Sequence, residues 1–169
     1  MDTFEAIMSR RSIRKYTSQT ISEQDTKELL MAAMNAPSAR NDQPWHFIVI
    51  NDRKVLDEIT KFHPYAPMLK EAPLAILVCG DLGIDPAEGY NVVNCSAATQ
   101  NILLAAHAKG LGAVWLGIYP RQERIAGIKK LFALPDNILP VSLVSIGWPA
   151  ETKPKEIRYK QDRVRHNKW

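Results

Sequence analysis

Apolar residues recur along the chain in two rhythms, and the two rhythms outline its elements. Residues 2–9 place Phe4, Ile7 and Met8 on one side of a short helix. "SEQDTKELLMAAMNAP" follows with Leu29, Leu30, Ala33 and Met34 at helical spacing. Ser22 is its expected N-cap, with Asp25 facing the positive end of the helix dipole. Pro37 restricts Ala36 and removes a donor, so this helix should end near Asn35. "WHFIVI" predicts a strand, "DRKVLDEITKF" a short helix, and the unbroken apolar run "PLAILVCGD" a buried strand. A long helix spans about Gly89 to Lys109. It is small or apolar nearly all round, which predicts burial at the domain centre or in a dimer interface. "GLG" ends it. "AVWLGIYP" predicts a strand, "RQERIAGIKKLFAL" an amphipathic helix, and "VSLVSIGWP" a last buried strand.

The order α-α-β-α-β-α-β-α-β predicts a mixed layered α/β or α+β domain with about four core strands. A length of 169 residues favours one domain over 1–169, with 153–169 as a basic extension. That extension has no apolar period, so it stays ordered only by docking on something.

Composition is that of an ordinary globular chain: 46% hydrophobic and 24% charged. No apolar run reaches the roughly eighteen residues of a membrane span, and no signal pattern opens the chain. A cytoplasmic location is the resulting expectation. Cys79 and Cys95 match no metal or redox spacing, and Cys79 should be a buried structural thiol. The net charge is +4. Lys153 to Trp169 holds seven Lys or Arg against two acids, which is +5, so the remainder is 4 − 5 = −1. A basic tail can signal nucleic acid, but it also suits a small anionic ligand or a partner subunit.

Chemistry is marked first by what is absent. The chain has no G-x-G-x-x-G, no P-loop, no H-E-x-x-H and no G-x-S-x-G. His46, His63, His107 and His166 are scattered without ligand spacing. Three other stretches stand out. "RRSIR" sets Arg10, Ser12 and Arg14 on one side of an extended segment, where two guanidinium forks and a hydroxyl would suit a phosphate. A solvated basic turn is the other reading. In "PSARNDQP", Ser38, Asn41 and Gln43 supply donors and acceptors between stiff prolines. The loop could read a heterocycle edge or satisfy its own backbone. Gly117 interrupts a β-branched and aromatic run, marking either close approach of a ligand or a bulge.

Taken in order, these stretches resemble the FMN-dependent nitroreductase family over nearly the whole chain. The resemblance rests on "RRSIRKY", "APSARNDQPWHFIVI", "EAPLAILVCGD", "AATQNILLAAHAKGLGAVWLGIYP" and "IGWPAETKPKEIRYKQDRVRHNKW". It implies a three-layer fold with a central, mostly antiparallel sheet, and a homodimer with two FMN sites at the subunit interface. It assigns Arg10, Arg11, Ser12 and Arg14 to the FMN phosphate, ribityl chain and flavin edge. Pro37, Ser38, Ala39, Asn41 and Gln43 match the flavin-contacting loop, part of it supplied across the dimer. Gly117, flanked by Trp115 and Leu116, matches the segment whose N–H meets flavin N5. Arg158, and more loosely Lys160, match a tail position that reaches the phosphate. The basic tail would lie on the partner subunit. Arg40, Tyr65 and Met68 are the candidates for the substrate side.

The implied activity is NADH- or NADPH-dependent reduction of nitroaromatics or quinones by a ping-pong scheme. The flavin would carry the chemistry, which accounts for the missing triad. The implied alternatives are a reductive dehalogenating or flavin-degrading relative, and a non-catalytic FMN-binding protein. Nucleic-acid binding through the tail is a further alternative, disfavoured by the −1 remainder.

Overall fold

In the computed structural model, which describes residues 1–169, five helices and four strands follow the expected order. Helix α1 spans Thr3–Ser9 and α2 spans Glu23–Met34. Strand β1 is Trp45–Ile50, followed by α3 at Arg53–Phe62. Strand β2 is Leu74–Asp81, α4 is Glu88–Ala108 and β3 is Gly112–Gly117. Helix α5, Gln122–Phe132, precedes β4 at Ile138–Gly147. Local chemistry sets the helix starts. Asp2, Ser22 and Asp52 each accept a backbone N–H of the first turn through the side chain. Three 3₁₀ turns, Ala39–Asn41, Pro67–Lys70 and Gln161–Arg163, were not legible in the periodicity.

The strands form one antiparallel sheet in the order β1-β2-β4-β3. Each face buries its own core. Leu74, Ile76, Val78, Val144 and Ile146 pack with α2 and α4. Ala75, Leu77, Cys79, Leu116 and Leu143 pack with α3, α5 and the Pro67–Lys70 turn. The period of two along β2 thus divides one strand between two cores, giving the three-layer arrangement. Cys79 and Cys95 are buried free thiols. Burial pushes both thiols up, to about 12.

Helix α4 buries Asn91, Asn94, Cys95, Ala98, Ile102 and Ala106 on one stripe. Its other side leaves Val93 64% and Tyr90 50% exposed, so within one chain it is less enclosed than its composition predicts. Helix α1 departs more sharply. Phe4, Ile7 and Met8 form its apolar side, yet all three are exposed, and only Ala6 is buried. Nothing in the chain covers that side.

Residues Arg10–Tyr16 form an extended strap along the open edge of β3. Ser12 bridges Ala113 in parallel, with Ile13 N–H donating to the Ala113 carbonyl at 3.1 Å, and Tyr16 bridges Pro149. The strap lies close because Gly112 and Gly147 face each other across the β3–β4 ladder. A Cβ on Gly112 would meet Ile13 at 2.6 Å, and one on Gly147 would meet the Tyr16 ring at 2.7 Å. From Thr152 onward every residue is exposed.

Candidate functional site

The strap and β3 together make a cleft of about 400 Å³. Arg14, Trp115, Leu116 and Gly117 line one side, and Tyr65 and Met68 line the other. Six residues singled out from three separate stretches of sequence therefore meet in one place. His63, Pro64, Pro67 and Arg124 complete the lining. Sequence reasoning passed over His63 and Arg124, because neither belongs to a spaced motif. His63 is the C-cap of α3 and Arg124 lies in the first turn of α5, and tertiary packing brings both to β3.

Ladder geometry fixes which way Gly117 points. In an antiparallel pair, each residue sends its N–H and C=O to the same side, alternating along the strand. The Ala113 carbonyl points away from β4, since it accepts from Ile13. Gly117, four residues on, also points away, and its carbonyl accepts from outside the sheet. Its N–H therefore faces the open edge, with no strand beyond it. A Cβ there would meet nothing within 4 Å. Gly117 thus offers an unpaired backbone donor in open space.

Two side chains hold the Gly117 carbonyl. His63 Nε2 lies 3.1 Å away and Arg124 Nη1 2.7 Å away. A carbonyl only accepts, so His63 Nε2 carries the proton, and Nδ1 is a buried lone pair with no partner. Burial and the Arg124 charge lower the His63 pKa. An unfolded histidine titrates near ~6.5 and binds its proton more readily than this one. Acid therefore favours the unfolded chain, and stability should fall as pH drops below about 6.5. His63→Gln, which keeps a donor for the carbonyl, should flatten that loss in thermal melts across pH 5 to 7; an unchanged slope would assign it to another group.

The basic residues divide between two places. Arg14 enters the cleft, but Arg10 does not. Within one chain Arg10 and Arg14 are not brought to the same cleft: Arg10, the C-cap of α1, stands with Arg11 and Arg158 instead. Arg10 is half-buried, and its pKa is lowered by burial and by the neighbouring charges of Arg158 and Arg11. Arg11 holds the tail through the Pro154 carbonyl at 2.9 Å. Lys153 Nζ donates to the Ser12 carbonyl at 2.8 Å. Arg158 forks onto Glu156 at 2.8 and 3.0 Å. Arg158 and Arg11 thus stand by Glu156, and Arg10 stands close enough to both arginines to feel their charge. Lys160 lies further along the tail, exposed.

The loop Pro37–Gln43 lies elsewhere. Arg40, Asn41 and Gln43 all have positive φ, between 50° and 58°. Such values strain non-glycine residues and persist where surroundings enforce them. Here Ser38 Oγ accepts the Gln43 N–H at 3.0 Å, Asn94 on α4 accepts the Ala39 N–H at 3.0 Å, and Gln43 donates to Asn41 at 3.3 Å. None of these residues lines the Gly117 cleft. Their loop precedes β1, at the sheet edge opposite β3. Three interstrand steps separate the two edges, about 14 Å. Arg40 departs from the substrate-facing expectation. It pairs with Asp42 at 2.8 Å and with fully buried Asp85 at 3.1 Å, and lies over the Tyr90 ring. A buried carboxylate needs a counter-charge, and Arg40 supplies it.

Comparison with known proteins agrees with this architecture. The model of the nitroreductase family matches residues 7–63 and 61–148. A protein of Methanothermobacter thermautotrophicus, provisionally described as an NADH dehydrogenase/NAD(P)H nitroreductase, is 47% identical over 169 residues, covering 100% of this chain and 88% of that protein. A crystal structure from Parabacteroides distasonis with the same provisional description superimposes with a TM-score of 0.95 at 41% identity, covering 99% and 98% of the two chains. An FMN-dependent nitroreductase of Clostridium difficile gives a TM-score of 0.91 at 27% identity, covering 98% and 99%. In sequence and in fold, this chain belongs to the nitroreductase family.

Proposed function

We propose that the chain is an FMN-dependent oxidoreductase that carries reducing equivalents from NADH or NADPH to nitroaromatic or quinone acceptors, and that it works as a homodimer. The observation that carries this reading is the Gly117 edge: an outward, unpaired N–H in open space, with Arg14 of the strap in the same cleft and an arginine cluster at the start of that strap. The residues fit the cofactor. Arg10, Arg11 and Arg158 suit its phosphate, with Arg14 at the flavin edge, and charge-assisted bonds of this kind contribute about 1.5–3 kcal/mol each. The Gly117 N–H is a donor for a ring acceptor atom, and Trp115 and Leu116 flank it. Bound FMN would supply the hydride and electron transfer. The protein's part is to bind and orient. His63 and Arg124 hold the Gly117 peptide, while Tyr65 and Met68 shape the opposite wall.

Dimerisation is supported by the uncovered apolar sides of α1 and α4, where Phe4, Ile7, Met8 and Val93 are exposed. It also accounts for the distance between the Gly117 cleft and the Pro37–Gln43 loop: the loop of a second copy would close the cleft. The tail from residue 153 onward would lie on that copy. The two free thiols suit a reducing, cytoplasmic setting. No helix is long and apolar enough to cross a membrane.

The test is spectroscopic. The protein loaded with FMN should bleach at once when NADH or NADPH is added without oxygen, and recover when a quinone or nitroaromatic follows. Steady-state rates should give parallel double-reciprocal lines, as one cleft serves donor and acceptor in turn. A protein that takes up no FMN sinks the reading. One that binds FMN without bleaching is a flavin-holding protein instead.

A further inference from the structure

The Gly117 cleft contains a cation for which the proposed cofactor has no evident use. Arg124 projects from the first turn of α5. Its Nη1 donates to the Gly117 carbonyl, and its guanidinium lies over the Tyr65 ring, 5.3 Å from the centroid. No carboxylate comes within 4.0 Å of the Arg124 or Arg14 guanidinium, Glu151 meeting Arg14 only at its backbone N–H, at 2.6 Å. The lining contains Arg14, Arg124 and His63 but no Asp or Glu. His63 is disposed to stay neutral, so the cleft presents two positive charges and no counter-charge. Arg124 is also held on two sides, by a carbonyl and by a ring, which leaves Nε and Nη2 free to donate. A fork held in this way matches a planar anion and loses little freedom on binding one.

We propose that Arg124 selects acceptors that carry an anionic substituent, a carboxylate or sulfonate on the aromatic ring. The inference rests on the acceptor entering this cleft, as proposed above. The acceptor, rather than the 2′-phosphate of NADPH, is the better source of the anion. That phosphate sits at the far end of the dinucleotide from the nicotinamide. A ring substituent lies within one ring width of the reacting group, and Arg124 touches the Gly117 carbonyl itself. Arg124 exchanges no electrons; it sets which acceptor is held.

The experiment uses the FMN-loaded protein, with Arg124→Met and Arg124→Lys beside the wild type. Each is assayed on 4-nitrobenzoate and on its uncharged methyl ester, with NADH and NADPH in turn. Arg124→Met should raise KM for 4-nitrobenzoate about 5- to 20-fold, the size of one partly screened charge-assisted contact. Arg124 also holds the Gly117 peptide, so any loss from that role falls on acid and ester alike; the readout is the rise in KM for the acid over that for the ester, and Arg124→Lys should recover part of it. Comparing each acceptor with itself removes their difference in reduction potential. Equal losses on acid and ester would assign Arg124 to holding the Gly117 peptide alone and overturn the proposal. So would unchanged KM values, or a loss confined to NADPH. A wild-type protein that NAD(P)H fails to bleach overturns the broader reading and this one together, before any variant is made. A wild type that bleaches but shows no acid-specific effect in Arg124→Met overturns this one alone.

Discussion

Replacing Arg10 and Arg158 together by alanine should weaken FMN binding by about 10²- to 10⁴-fold, the loss of two charge-assisted bonds to phosphate. The same change should leave the flavin-free protein no less stable. Arg10 is half-buried, and its ionised form is opposed by desolvation and by the charges of Arg158 and Arg11. Glu156 is bonded to Arg158, and that bond is an exposed pair two residues apart. Such pairs contribute little. The cluster is therefore a cost to the empty protein and a gain to the loaded one. Fluorescence titration with FMN reads the first effect, and thermal melts of flavin-free protein read the second. Unchanged affinity would place the phosphate elsewhere. A large drop in melting temperature would mean that these arginines support the fold.

Gly147→Ala should destabilise the protein by about 1–3 kcal/mol. For a chain of this size, each kcal/mol lowers the melting temperature by roughly 2–4 °C. The added methyl would meet the Tyr16 ring at 2.7 Å and Pro73 at 2.9 Å. The ring cannot easily retreat, because the Tyr16 hydroxyl donates to the Ile13 carbonyl at 2.9 Å and the ring is buried. Relief must come from moving the strap, which also holds Arg10 and Arg14, so FMN affinity should fall with stability. Gly89→Ala is the control. Gly89 lies in the first turn of α4 with nothing within 4 Å of a Cβ. That change should be neutral or stabilise by up to about 1 kcal/mol. A Gly147→Ala protein with wild-type melting and FMN affinity would show that the strap is not fixed by this contact.

The element order was legible because each segment carries one unambiguous period. Leu74 to Cys79 reads as a buried strand, and Ser22 caps the helix it precedes. The site was legible only in part. Arg14, Tyr65, Met68 and Gly117 stand out by type or by resemblance, and they do meet. His63 and Arg124 do not stand out, because their importance comes from a single carbonyl that both reach through tertiary packing. Arg40 is a different case. It stands out as a charge within a family motif, able to reach an anionic substrate or to point to solvent, and within one chain its partner is Asp85, a buried carboxylate 45 positions on whose burial no local pattern announces. Arg10 and Arg14 stand apart within one chain because Arg10 is the C-cap of α1, beside Arg11 and Arg158, whereas Arg14 lies further along the strap and reaches the cleft.

Arg10 and Arg158 stand near opposite ends of the polypeptide, yet they lie close enough to feel each other's charge, and the proposed function gives them the same phosphate. Synthesis runs from the N-terminus, and a domain can begin to fold as it emerges. The last strand is complete at Gly147, before Arg158 has been added. A chain still being made can therefore assemble its sheet before it has this second arginine. On the proposed function, full FMN affinity is acquired only once the segment carrying Arg158 has been added and has docked on the strap.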